Sequence, residues 1–396
     1  MPDPSPTWLD RVESTRARLW LLGSVLPRAV TSSVAAGRRT PESGIPAWDF
    51  GVREFGETAT DELFIALSAL YREVPHHDAV QASADACAVA APELTELGVA
   101  GSHRPPPPLS VLGLRRRRVA GIRFEHLEFE STPDLPDSLV SAGYGSREVA
   151  HARVLRHDGG PRPWVVWIHG AEQGRVDDLF AFRVKHLHRE LGLNVAMPVL
   201  PHHGPRRDLG HSWPGFDLLG NVATMIRAVS DVRSVIGWIG DQNPSSVAVV
   251  GMSLGGPVAA LTAGLDERVD AVAATVPMLD AHETIAHHTA RTGGRGRKLA
   301  ALLRSEPVRG VGAAVDPTAL EPRCGVDRRL VVAALGDRMT SVKAAQRLHQ
   351  RWGGHVYWHT GGHIGHLMSG GVRGVLDDFL LDRMAVNPPD RSAPNA

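Results

Sequence analysis

Ser253 sits between two glycines in "VVGMSLGGPVAA", residues 249–260. The run before it is apolar and β-branched and reads as a strand; the run after it is small and helix-compatible. Gly251, Ser253 and Gly255 form Gly-x-Ser-x-Gly at that junction. Such a junction makes a sharp elbow, leaves the hydroxyl exposed above the sheet, and aims the amides of the next helix at it. The N–H of Leu254 is then one donor to an oxyanion. No lysine follows these glycines, and their spacing misses Gly-x-Gly-x-x-Gly, so neither a phosphate loop nor a dinucleotide fingerprint fits. The plainer alternative is a glycine-rich turn with a hydrogen-bonded serine.

A serine hydroxyl needs a base, and the base needs an orienting acid. "HVYWHTGGHIGHLMSG", residues 355–370, offers histidines around the end of a strand. His363 is the first choice, because two glycines before it allow a tight loop that swings the imidazole over the sheet. His366 is the second, and His359 lies within the strand end. Asp337 follows the apolar run of "LVVAALGDRMTSV", which gives the order Ser, Asp, His. Asp280, after "AVAATVPML", is the other candidate acid; a helix cap is the plain role for either. A second oxyanion donor is expected in "WVVWIHGAEQG", from the N–H of Ala171 or of Glu172. His169 in that stretch reads as a brace for the loop. "PHHGPRRDLGHSWPG", residues 201–215, follows another strand and supplies possible pocket residues His202, His203 and Arg206. An arginine there would pair with a substrate carboxylate, unless it faces solvent.

These residues need a scaffold. From about residue 119 strand and helix patterns alternate, which implies a mostly parallel sheet covered by helices on both faces, with ligands beyond the carboxyl ends of its strands. An irregular, partly helical insert at about 279–325 sits where a small lid could grow. Residues 1–118 read instead as a helical N-terminal extension, with "WLDRVESTRARLWLLGSVL", "DELFIALSALYREV" and "SADACAVAAPELTELG" at helical spacing. It ends in a stiff connection at Pro105–Pro108 and a solvated run at Arg115–Arg118. Its helices are expected either beside the sheet or at a dimer contact. Residues 119–385 are expected to form the domain that holds the site, and 386–396 a flexible tail.

Composition excludes several classes. Forty-three basic and 43 acidic residues give no net charge, so nothing marks a nucleic-acid footprint. No apolar run reaches the roughly 18–20 residues of a membrane span. Cys87 and Cys324 stand in no motif, so neither a disulfide framework nor a CxxC site is expected. A reducing, cytoplasmic setting fits, with peripheral membrane contact left open. No His-Glu-x-x-His pair occurs, and neither metal nor cofactor is expected.

Taken together, "WIHG" (167–170), "GMSLGG" (251–256), "GDRM" (336–339) and "GGHIGH" (361–366) resemble the α/β-hydrolase superfamily, over about residues 119–385. The resemblance implies an eight-stranded, mostly parallel sheet and a catalytic triad. Ser253 would be the nucleophile, Asp337 the acid and His363 the base, with Leu254 and Ala171 at the oxyanion amides. An esterase-like serine hydrolase acting on a small ester through an acyl-enzyme is the expected function. Amide, peptide or thioester hydrolysis is the alternative, and a non-catalytic binding protein on this fold is another. The long helical extension departs from a minimal hydrolase, and the oligomeric state is undetermined.

Overall fold

Strand β4 (Pro163–Ile168) is buried on both faces, and its side chains divide between them by the two-residue period of a strand. Trp164, Val166 and Ile168 join one apolar cluster, while Val165 and Trp167 join another. Both faces of the sheet therefore demand cover, as a parallel sheet requires. The computed structural model of the chain describes residues 23–36, 44–48, 51–71, 75–208 and 211–384. The expected tail at 386–396 and most of "WLDRVESTRARLWLLGSVL" lie outside the described residues.

Among the described residues, nine strands form one sheet. They are β1 (Val111–Val119), β2 (Ile122–Ser131), β3 (Glu148–Leu155), β4, β5 (Asn194–Pro198), β6 (Ser246–Met252), β7 (Ala271–Thr275), β8 (Arg329–Ala334) and β9 (His355–His359). Their spatial order is β1-β2-β3-β5-β4-β6-β7-β8-β9. The pairings among β1, β2, β3 and β5 are antiparallel, and all others are parallel. The strand beyond the expected eight is the edge strand β1, and it contains Arg115–Arg118. Those arginines are exposed, as a solvated run should be, but they pair in register with β2. Charge along an edge discourages further strand addition.

The described helices are α1 (Val25–Ala36), α2 (Val52–Tyr71), α3 (His77–Ser102), α4 (Leu218–Gly240), α5 (Gly255–Leu265), α6 (Ala281–Ala290), α7 (Gly294–Leu303), α8 (Glu306–Gly312), α9 (Val342–Trp352) and α10 (Gly370–Arg383), besides shorter turns. Helices α4, α5 and α9 cover one face of the sheet, and α10 with a short helix at Val184–Arg189 covers the other. No described helix is long and apolar enough to cross a membrane. A third cluster joins Val80, Cys87 and Leu94 of α3 to Leu219, Val222 and Ile226 of α4 and to Leu299, Leu303 and Val308 of the insert. The extension and the insert thus share one apolar layer over α4. At roughly 2 kcal/mol for each fully buried leucine, this layer anchors both segments to the domain.

The winding reverses at β4, which has β5 on one side and β6 on the other. Ligands bind outside the carboxyl ends of strands at such a switch. The elbow serine follows β6, and the expected oxyanion loop follows β4.

Candidate active site

Ser253 has φ +52°, in the left-handed region that a non-glycine residue occupies at a cost of about 1–3 kcal/mol. The neighbours hold it there. Its N–H donates to Thr275 O at 2.9 Å, and its carbonyl accepts from Gly256 N at 3.0 Å and Met278 N at 2.9 Å. The glycines of the elbow serve close approach, not an unusual φ. A Cβ on Gly255 would collide with the carbonyl of Ile168 and lie 2.6 Å from that of His169. One on Gly251 would lie 2.7 Å from Ala259 Cβ. Because backbone atoms cannot swing aside, Gly255→Ala is expected to lower unfolding free energy by about 3 kcal/mol. Urea denaturation followed by circular dichroism checks this; an unchanged midpoint would contradict the packing argument.

The loop after β4 abuts the elbow. A Cβ on Gly170 would stand 3.2 Å from Ser253 Cβ. Gln173 Oε1 accepts the Gly170 N–H at 2.7 Å and shapes the turn. The N–H groups of Ala171 and Leu254 donate to no described residue. Both are therefore free for an oxyanion. His169 braces this loop as a neutral ring. Its Nε2 accepts from Leu200 N at 3.0 Å, so its Nδ1 donates to Gly170 O at 2.7 Å. Burial holds its pKa down at about 3.

Asp337 and His363 meet. His363 Nδ1 lies 2.7 Å from Asp337 Oδ2, and both side chains are buried. Asp337 also accepts from Met339 N at 2.8 Å, Thr340 N at 2.7 Å and Thr340 Oγ1 at 2.8 Å. Burial pushes the Asp337 carboxyl up, but the adjacent His363 ring and the Thr340 donors outweigh it and hold the carboxyl below its usual range. Burial likewise pushes His363 down, and Asp337, with help from Asp61, outweighs it and raises that imidazole. Ser253 Oγ forms no hydrogen bond with a described residue, so Asp337 and His363 are joined while Ser253 and His363 are not. Such bonds often tighten only when substrate arrives. Thr340 Oγ1 lies 3.4 Å from Val276 O, one residue beyond the carbonyl that holds Ser253 N–H. The turn that holds Asp337 and the elbow therefore share the end of β7.

The other candidates find different work. His366 Nδ1 bonds His363 O, and burial lowers its pKa to about 3. His359 Nε2 lies 3.1 Å from Glu57 Oε2. Asp280 caps α6 by accepting Glu283 N–H at 2.9 Å. Glu172 has φ +61° in the turn after Ala171. Among the pocket residues, His202 and Arg206 line a cavity of about 760 Å³, but Ser253, Asp337 and His363 do not. Arg206 is spoken for: it donates to Asp231 at 2.8 Å, Glu148 at 3.0 Å and Val199 O at 2.9 Å, and its side chain is buried. It is a structural ion pair rather than a clamp for a substrate carboxylate. His203 is buried, with Nδ1 2.8 Å from Pro201 O, and its ring meets those of His169 and Trp213 edge-on.

Sequence reading passed over a group of acids on α2. Asp61 Oδ2 accepts His363 N–H at 2.7 Å and Arg338 N–H at 3.2 Å, and Asp61 Oδ1 accepts Ile364 N–H at 3.0 Å. Glu57 Oε2 accepts Gly362 N–H at 2.9 Å. The glycines before His363 were expected to let the loop swing. None of Gly361, Gly362 and Gly365 has a positive φ. A Cβ on Gly362 would lie 2.8 Å from Asp61 Oδ2, and one on Gly361 or Gly365 would collide with Glu57. They admit a helix. The only signal in the sequence is Glu54, Glu57 and Asp61 at helical spacing.

Among the described residues, one group gathers three metal-type donors within 4.8 Å of one another: His126, Glu128 and His151. His126 Nε2 lies 3.2 Å from His151 Nδ1. Burial, together with Arg115, Arg117, Arg153 and Arg206, keeps these rings neutral. A neutral histidine–histidine hydrogen bond accounts for the contact, and the arginines oppose a divalent cation. Cys87 and Cys324 are both free and buried.

No family model matches the chain. It is 34% identical over 308 residues to Uncharacterized protein Rv2627c of Mycobacterium tuberculosis (strain ATCC 25618 / H37Rv), covering 74% of this chain and 73% of that protein. Among solved structures it is similar to an acetyl xylan esterase from Paenibacillus sp. R4, with a TM-score of 0.51 and 16% identity over 75% of this chain and 93% of that one. Acetyl Xylan Esterase 1 from Thermoanaerobacterium sp. JW/SL YS485 is similar to the same degree, with a TM-score of 0.51 and 16% identity over 74% of this chain and 93% of that one. At such identity these two likenesses concern the fold alone.

Proposed function

We propose, for a chain that belongs to the α/β-hydrolase superfamily and to one family with the mycobacterial protein Rv2627c, that it is a serine hydrolase cleaving a carboxylic ester through Ser253, Asp337 and His363. The observation that carries this reading is the buried His363–Asp337 hydrogen bond at 2.7 Å, formed in a domain whose strand–helix elbow holds Ser253 at φ +52°. With Nδ1–H given to Asp337, His363 Nε2 is left unprotonated and can act as a base. It takes the Ser253 proton as Oγ attacks the ester carbonyl. The amides of Leu254 and Ala171 donate to the oxyanion that forms. His363 then gives the proton to the departing alcohol, and an acyl-enzyme remains. Water, deprotonated by the same imidazole, releases the acid.

The ester as substrate class is taken from the two esterases that share the fold. The same triad serves any acyl transfer, so parallel turnover of short acyl esters, thioesters and peptide amides ranks the classes. Clear preference for an amide would overturn the ester assignment. The decisive test of the mechanism is labelling with a fluorophosphonate. The wild type is expected to be modified once, at Ser253, and Ser253→Ala not at all. Equal labelling of the two proteins would remove Ser253 as the nucleophile.

A further inference from the structure

Helix α2 carries two carboxylates that the fold buries almost completely, Asp61 at 0% and Glu62 at 1% exposure. A buried carboxylate is costly unless its oxygens are satisfied. Asp61 is satisfied by main-chain N–H groups of two loops. One is the loop of the base, through His363 and Ile364; the other is the loop of the acid, through Arg338. Asp61 therefore bridges the residue after Asp337 to His363 itself. Its neighbours repeat the pattern: Glu57 holds Gly362 N–H, and Glu62 pairs with Arg338 Nε at 3.0 Å and with Arg291. The loop glycines leave the space this approach needs. A helix meant only to cover the sheet would meet it with apolar side chains. This one meets the base loop with ordered acceptors.

We propose that Asp61 is a positioning residue of the active site: it ties the loop of the acid to the loop of the base, so that helix α2 of the N-terminal extension is a working part of the hydrolase. The inference rests on the serine-hydrolase reading above. Catalytic geometry tolerates little error, since a shift of about 1 Å costs roughly 100-fold in rate. Two loops joined through one carboxylate are held against such a shift. Asp61 also acts on charge. Burial, with Asp337 nearby, pushes its carboxyl up to about 6, so it is largely ionised at neutral pH. As an anion it favours the imidazolium form of His363, alongside Asp337. The other charged or titratable groups at this junction include His366 in the turn after His363, Glu57 and Glu62 on α2, His359 beside Glu57, Arg338 beside Asp337 and Arg291 beside Glu62.

The test uses the full chain with Asp61→Asn and Asp61→Ala, a short-chain ester and the fluorophosphonate. Asparagine keeps the size and one acceptor oxygen but loses the charge and an acceptor. Asp61→Asn is expected to lower kcat about tenfold, with KM within about twofold of the wild type. The acid limb of its kcat/KM profile should move to lower pH, because a lost anion makes His363 easier to deprotonate. Asp61→Ala is expected to lower kcat about 100-fold, and Asp61→Asn carries the test if alanine prevents folding. A lower melting temperature for Asp61→Asn with wild-type kcat and an unmoved limb would show a merely structural role and overturn the proposal. Failure of the wild type itself to label at Ser253 would sink the serine-hydrolase reading instead.

Discussion

Ser253→Ala and His363→Ala are each expected to lower kcat/KM for a short-chain ester about 10⁵-fold, and the double variant is expected to lose no more than either alone. The physical reason is that nucleophile and base perform one act. Without Oγ the imidazole has no proton to take; without the imidazole the hydroxyl is a weak nucleophile at neutral pH. Either deletion therefore removes the same term. What survives is the backbone. The N–H groups of Leu254 and Ala171 and the fold that presents them are untouched by either change, so residual turnover above the uncatalysed rate should be equal in all three variants. Steady-state kinetics on folded proteins, with melting temperatures as the control, give the comparison. Losses that multiply in the double variant would mean that the two residues act independently. That would point to a different partner for one of them, such as His366, whose ring centre lies 6.0 Å from that of His363.

The legible part of this site is the part whose logic is local. Ser253, Asp337 and His363 each follow an apolar strand, and strand ends on a parallel sheet point to one edge; type and position alone were enough to pair Asp337 with His363. Arg206 shows where local logic stops. Its partners Glu148 and Asp231 lie 58 and 25 positions away, and no pattern in "PHHGPRRDLGHSWPG" announces them. The edge strand β1 was hidden for a related reason. A solvated strand whose centre is four arginines has no apolar alternation to read, and only its pairing with β2 reveals it. Asp61 is the extreme case, since it bonds residues 277 to 303 positions further along the chain. In sequence it opens the apolar run "DELFIALSALYREV" and looks like an acid favouring a helix start. In the fold that helix begins at Val52, and Asp61 is buried in its middle. The glycines before His363 mislead in the same way: a pair of glycines suggests turning freedom, whereas here the missing Cβ atoms make room for the carboxylates of α2.

Asp337→Asn is expected to lower kcat/KM about 10³–10⁴-fold near neutral pH while leaving the fold in place. Asparagine is nearly isosteric, so its carbonyl oxygen can still accept from Met339 N and Thr340 N, which now hold Asp337 Oδ1. Those two donors fix the carbonyl oxygen toward the turn, and Thr340 Oγ1, which now donates to Oδ2, can turn to accept from the amide instead. The amide nitrogen is then left facing His363 Nδ1, where the carboxylate oxygen stood at 2.7 Å. A donor there selects the imidazole tautomer protonated at Nε2, which cannot take a proton from Ser253. The pH behaviour should change as well. In the wild type Asp337 holds His363 above its ordinary 6.5 and is itself held below 3.8. The depressed carboxyl contributes stability above 3.8 that is lost as pH falls through its lower folded value; the raised imidazole contributes stability below 6.5 that is lost as pH rises through its higher folded value. The pair therefore stabilises the wild type most between those limits. In Asp337→Asn this bonus is absent, so urea midpoints of the two proteins should differ more near pH 5 than near pH 9. The acid limb of the residual kcat/KM should also lie at lower pH, since a neutral neighbour no longer favours the imidazolium. A variant with wild-type activity, or with an acid limb moved upward, would rule out Asp337 as the partner of His363.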